Sequence, residues 1–187
     1  MTCIVAIETQ DNNAVIAGDF CGSDGFKKGN VTSPKIFKHS GMIFGYTSSF
    51  RFGQIIEHIL DDNTLYPPSD ATKTYEWLVR NFIPKLQKSL KDEEYQGGGD
   101  AICIINAQVW QIQSDFSVIR PETGVCAVGS GEYHALSSIL TNILLNNDGE
   151  LPINAVQANY FVLMAYKVTA ACVTSVSEKF SLMEFRK

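Results

Sequence analysis

Thr2 stands directly after the initiator methionine. If Met1 is removed, as is expected ahead of a small residue, Thr2 carries a hydroxyl nucleophile and a free α-amine on one residue. An α-amine with a reference pKa of about 8 is a workable base at neutral pH, so a single residue would supply both nucleophile and proton acceptor for acyl transfer. A retained Met1 would tie that nitrogen into an amide and remove the base. Taken alone, a threonine in second place also fits an ordinary chain start.

Other chemistries find less support. Cys3, Cys21, Cys103, Cys126 and Cys172 are odd in number, scattered and without a CxxC pair, and read as small core residues. His39, His58 and His134 lack the HExxH or a comparable ligand spacing, so no metal site is expected. Gly97-Gly98-Gly99 follows an acidic helix end and lacks the Lys-Ser/Thr of a phosphate loop. No cofactor is expected. Gly129-Ser130-Gly131 falls short of the GxSxG elbow, and no Asp and His follow in α/β-hydrolase order.

These residues need elements to hold them. Cys3 to Glu8, a turn at Gln10-Asp11-Asn12-Asn13, and Ala14 to Ala17 read as a terminal hairpin. Phe20 to Asn30 is too polar for a core strand, Lys35 to Lys38 looks extended, and Met42 to Tyr46 is an apolar strand. Ile55, Ile56, Ile59 and Leu60 recur at helical spacing, and a second helical segment runs through Tyr75, Leu78, Phe82, Leu86 and Leu90 after Ser69-Asp70. Pro84 should kink that segment or mark its restart. Ala101–Ile105, Val109–Ile112, Phe116–Ile119 and Val125–Val128 read as a central β-meander. Helical periods follow at Ala135–Leu144 and Ala155–Val168, then β-prone Cys172–Val176 and Phe180–Phe185. Segregated strand and helix runs argue for an α+β fold, two sheets face to face with helix pairs outside.

The 187 residues have room for one domain, spanning 1–187, and a hydrophobic share of 45% against 19% charged is an ordinary globular balance. Fifteen Lys+Arg against 20 Asp+Glu give a net charge of -5, so there is no electrostatic case for a nucleic-acid partner. No apolar run approaches the roughly 20 residues that cross a bilayer, and the start lacks a secretory signal, so no membrane association and a cytoplasmic setting are expected.

The stretches Thr2-Cys3-Ile4-Val5-Ala6-Ile7, Ala14-Val15-Ile16-Ala17-Gly18-Asp19, Lys28-Gly29-Asn30-Val31 with Lys35, and Ala127-Val128-Gly129-Ser130-Gly131 occur in an order that resembles the proteasome family. The resemblance is nearest to the bacterial HslV-type threonine peptidase, an N-terminal nucleophile (Ntn) hydrolase, and covers nearly the whole chain. It implies a four-layer αββα sandwich, a homo-oligomeric ring, peptide or unfolded-protein substrates and an ATP-driven unfoldase partner. Position by position, it makes Thr2 the nucleophile, Asp19 the acidic residue after the second strand, Lys35 the active-site lysine and Ser130 the serine supporting the terminal amine. A Lys35 ammonium would favour deprotonation of Thr2, and Asp19 would orient Lys35. The turn at Gly45 and Ser48 matches the oxyanion and substrate-binding segment. Singly, Asp19 also fits a turn carboxylate, Lys35 a solvated cation and Ser130 a helix cap. Cys3 should face the opposite side of its strand from Thr2.

Two departures from the family pattern bear on activity. Side chains intrude where Gly45-Tyr46-Thr47-Ser48-Ser49-Phe50 replaces a glycine-rich segment, and Ala170-Ala171-Cys172-Val173-Thr174-Ser175 offers no carboxylate where proteasome β subunits carry a supporting Asp. The expected function is a threonine-type endopeptidase using Thr2. The alternatives are an inactive structural or assembly subunit, such as a phage particle component, and an amidase acting on a small molecule through the same nucleophile.

Overall fold

The computed structural model describes residues 2–23, 28–60, 65–146, 149 and 153–186. Strands β1 (Cys3–Thr9) and β2 (Asn13–Asp19) form the expected terminal hairpin around a 3-10 turn at Gln10–Asn12. The polar stretch after it holds only a short pair, β3 (Cys21–Ser23) and β4 (Lys28–Asn30). Next come β5 (Ile36–His39), β6 (Met42–Tyr46) and helix α1 (Phe50–His58), whose start Ser49 caps by accepting from Arg51 N. Asp70 caps a 3-10 turn ahead of α2 (Thr74–Trp77), which passes through a π-helical stretch at Leu78–Phe82 into α3 (Ile83–Asp92). Pro84 lies in the first turn of α3; its missing N–H and its ring's conflict with the preceding turn account for the widened stretch. The expected kink thus takes the form of a π-helical turn.

The meander is corrected by the sheet order. Strands β7 (Ala101–Ile105), β8 (Gln108–Ile112) and the two-residue β9 (Val118–Ile119) continue the sheet β5-β6-β7-β8-β9. Strand β10 (Val125–Gly129) crosses over and pairs antiparallel with β1, giving a second sheet ordered β10-β1-β2-β11. Local apolar pattern identifies a strand but not the sheet it joins. Helices α4 (Glu132–Asn146) and α5 (Ala155–Cys172) precede β11 (Phe180–Phe185), which pairs with β2. The expected strand at 172–176 is also corrected: α5 runs on to Cys172, and Val176 N donates to Val173 O in a turn.

Three apolar clusters define four layers. Phe44, Phe52, Phe82 and Cys103 pack between the five-stranded sheet and α1–α3. Cys3, Val5, Ile7, Phe161 and Tyr166 pack between the four-stranded sheet and α4–α5. Ile4, Ala6, Ile16, Ile36, Ile43 and Ile102 pack between the sheets. This is an α+β, αββα sandwich. Strand β1 is therefore buried on both faces, which explains its unbroken apolar run where a half-exposed strand would alternate. Among the described residues no helix is long and apolar enough to cross a membrane.

Candidate active site

The sandwich opens at the start of β1, where period-2 alternation sets Thr2 on the side of Ile4, facing the five-stranded sheet, and Cys3 on the side of the helices. Lys35, just ahead of β5, reaches across: its Nζ donates to Thr2 Oγ1 at 2.6 Å, to Asp19 Oδ1 at 3.0 Å and to the Cys21 carbonyl oxygen. Three acceptors match the three donors of an ammonium. Asp19 ends β2 and is fully buried; Oδ1 also accepts from Cys3 N at 3.1 Å, and Oδ2 accepts from Cys21 N at 3.0 Å and Ser177 N at 3.4 Å. Thr2, Asp19 and Lys35 are thus brought into one contact cluster, with Thr2 and Lys35 4% and 2% exposed.

Ser130 follows β10, where Gly129 takes φ +97°, a conformation that favours glycine. Ser130 Oγ lies 3.4 Å from the Thr2 carbonyl oxygen and 2.9 Å from Ser175 Oγ. Ser48 leaves β6 at φ +74°, an uncommon value for a residue with a side chain. Its neighbours' amides are taken, Thr47 N by Asp100 O and Ser49 N by Thr47 O, while Ser48 N has no protein partner among the described residues. A cavity of about 310 Å³ is lined by Thr2, Cys21, Lys35 and the run Tyr46 to Arg51, so Ser48 and Thr2 share one space. Gly45 does not line it. A Cβ there would lie 2.5 Å from Ile4 Cγ2, which places Gly45 in the packing between the sheets. A larger hollow of about 780 Å³ beside the end of α3 contains none of the expected site residues.

Two supports escaped the sequence reading. The segment after α5 supplies Ser175 Oγ to Ser130 Oγ and Ser177 N to Asp19. Two small polar residues directly past a long apolar helix were the available signal. From beneath, the Tyr166 hydroxyl shares its proton between the carbonyl oxygens of Cys3 at 2.7 Å and Ala17 at 2.9 Å, tying β1 to β2 beside Thr2. Burial, then the charges of Cys3 and Asp19, hold that phenol well above its ordinary pKa, which keeps it a donor. Cys3 itself is pushed up to about 12, first by burial and then by Asp19, and is no competing nucleophile at neutral pH. Four of the cysteines are buried as expected, but Cys172 is exposed at the end of α5.

The arrangement fits a hydroxyl nucleophile held by a buried cation, with a backbone donor across the same cavity. Among solved structures, the chain resembles BPH from Thiobacillus denitrificans, at TM-score 0.75 and 18% identity over 98% of this chain and 97% of that one; BPH also has a structure in complex with epoxomicin. The chain has the HslV-type proteasome-like fold. HslV from Trypanosoma brucei matches at TM-score 0.65 and 16% identity over 100% of both chains. The Gly-1 mutant of Anbu from Hyphomicrobium sp. strain MC1 matches at TM-score 0.72 and 14% identity over 100% of this chain and 82% of that one. No family model and no curated protein sequence matches the chain. The proteasome-like fold is therefore shared at identities where residue roles do not transfer by alignment.

Proposed function

We propose that this chain is an N-terminal threonine peptidase, with Thr2 as nucleophile after loss of Met1. The observation that carries the reading is the Lys35 ammonium at 2.6 Å from Thr2 Oγ1, itself anchored on Asp19. In the first half-reaction, Thr2 Oγ attacks the scissile carbonyl carbon and its proton passes to the Thr2 α-amine. The oxyanion is met by Ser48 N, and collapse breaks the C–N bond as the leaving amine takes the proton from the α-ammonium. In the second, water attacks the resulting ester, gives its proton to the same amine, and Thr2 Oγ leaves as a restored hydroxyl. Lys35 stabilises the developing alkoxide; Asp19 orients Lys35; Ser130, held by Ser175, fixes the Thr2 backbone. Gly45 acts by letting the sheets close behind this site.

A homo-oligomeric ring belongs to the proposal. Its support is the outer stripe of α5, where Val156 (79% exposed), Tyr160 and Leu163 offer apolar surface at helical spacing, as expected of a helix covered by a neighbour. Unfolded polypeptide delivered by an ATP-driven unfoldase, in the cytoplasm, completes the reading. The second reading, a catalytically inactive assembly subunit with the same ring surface, is favoured by one feature, the serine in a glycine-like conformation at position 48.

Intact-mass analysis followed by epoxomicin labelling tests the choice. A peptidase loses Met1 and gains one probe mass on the Thr2 peptide, and Thr2→Ala prevents the gain. Protein that keeps Met1, or frees Thr2 and never reacts, is the assembly subunit.

A further inference from the structure

The cavity at Thr2 is asymmetric in charge. Its described lining holds two cations, Lys35 and Arg51, and no carboxylate. Lys35 is sealed at 2% side-chain exposure and committed to Thr2, Asp19 and Cys21. Arg51, in the first turn of α1, is 46% exposed at the rim. Its Nη2 meets Glu93 just past α3, a residue outside the lining. A guanidinium carries five N–H donors in a planar fork, so one carboxylate on one terminal nitrogen leaves capacity for a second.

The rest of the lining restricts what such a ligand can be. The Tyr46 ring rests against the α1 backbone: a Cβ on Gly53 would lie 2.3 Å from it. Phe50 meets that ring edge-on, with centroids 6.4 Å apart. Two rings therefore form one part of the wall, and the hydroxyl-bearing residues Thr47, Ser48 and Ser49 form another. A side chain ending in an anion finds hydroxyl-bearing walls and a cation in this space.

Resting on the peptidase reading, we infer that Arg51 selects substrates with an acidic side chain on the acyl side of the scissile bond. Glu93 competes with the substrate for the same guanidinium and moderates that preference. The test uses fluorogenic peptides identical except for Glu, Gln, Leu or Lys before the scissile bond. The wild-type protein is expected to show a kcat/KM for Glu about two- to fivefold above that for Gln, the scale of one partly exposed charge pair. Arg51→Gln should remove the preference, Arg51→Glu should reverse it toward Lys, and Glu93→Gln should raise the Glu-to-Gln ratio. Arg51→Glu combined with Glu93→Arg restores the ion pair and controls for folding. A wild-type ratio at or below one, or a ratio that Arg51→Gln leaves in place, overturns the inference. Epoxomicin labelling of Thr2 separates the two failures: a labelled protein without acidic preference sinks this inference alone, and an unlabelled one sinks the peptidase reading with it.

Discussion

Gly129 and Thr2 approach so closely that a Cβ on Gly129 would lie 2.3 Å from the Thr2 carbonyl oxygen and 3.1 Å from Thr47 Cγ2. Gly129 also stands opposite Cys3 in the β1–β10 ladder, at φ +97°. The start of β1 is thereby held by a neighbour that must be glycine for two separate reasons, space and backbone conformation. Thr2 is held at its carbonyl oxygen by Gly131 N and Ser130 Oγ and at its hydroxyl by Lys35 Nζ.

Gly129→Ala should therefore displace Thr2 before it unfolds the domain. The strained backbone costs about 1–3 kcal/mol, and the contact with Thr2 O adds to it. The expected outcome is a lower thermal midpoint with epoxomicin labelling of Thr2 lost or slowed by at least tenfold. Labelling at the parental rate would show that Thr2 tolerates the shift.

Lys35→Ala should destabilise as well as inactivate. It leaves the Asp19 carboxylate at 0% exposure without its cation, a change that costs about 3–5 kcal/mol when a buried pair loses one member. Urea denaturation should show the loss, and the Asp19→Asn, Lys35→Met double variant should recover part of the stability but none of the turnover. Equal stability of Lys35→Ala and wild type would mean that the pair is more hydrated than its burial indicates.

Thr2, Asp19, Lys35, Ser48 and Ser130 were singled out by an order of short motifs that resembles the proteasome family, since local pattern alone left Asp19, Lys35 and Ser130 ordinary structural roles; the structure brings Thr2, Asp19 and Lys35 into contact. Nine strands were readable because a short apolar run bounded by turn residues fixes where a strand stops. What stayed hidden was pairing at a distance: β10 has the same local pattern as β7 and β8, and only burial against β1 assigns it to the other sheet. Helix α5 overran its expected end because Thr169 to Cys172 combine modest β propensity with one helical face that Thr169 buries. Gly45 was assigned to the oxyanion segment by order along the chain, yet strand alternation points it into the packing between sheets. Ser175 could not be assigned, since a hydroxyl acting on another hydroxyl has no spacing rule.

Ser175→Ala tests whether that hydroxyl positions Ser130. It removes the 2.9 Å partner of Ser130 Oγ while leaving Thr2, Lys35 and Asp19 in place. The expected result is a loss of up to about 1 kcal/mol of stability, the scale of one intramolecular hydrogen bond, and a fall in kcat with KM little changed. Ser175→Thr, which keeps the hydroxyl, should recover part of the rate. A purely structural role would lower stability in both variants and leave kcat alone.

The buried thiols predict alkaline weakening of the fold. Cys3 and Cys126 are pushed up to about 12 and Cys103 is raised further, each first by burial, from an ordinary value of 9.0. A raised acid keeps its proton in the folded state where the unfolded chain has released it, so its stabilising effect is complete below pH 9 and is lost as pH rises toward 12. Each such thiol contributes a slope of up to about 1.4 kcal/mol per pH unit in that window. Urea midpoints should be level from pH 7 to 8.5 and fall steadily above pH 9, and Cys3→Ala should fall less steeply than wild type. At pH 8, native protein should present one rapidly reacting thiol, Cys172, the exposed one, with Cys3, Cys21, Cys103 and Cys126 reacting only after denaturation. Rapid modification of Cys3 in the folded state would contradict the closed helix-side packing beneath Thr2.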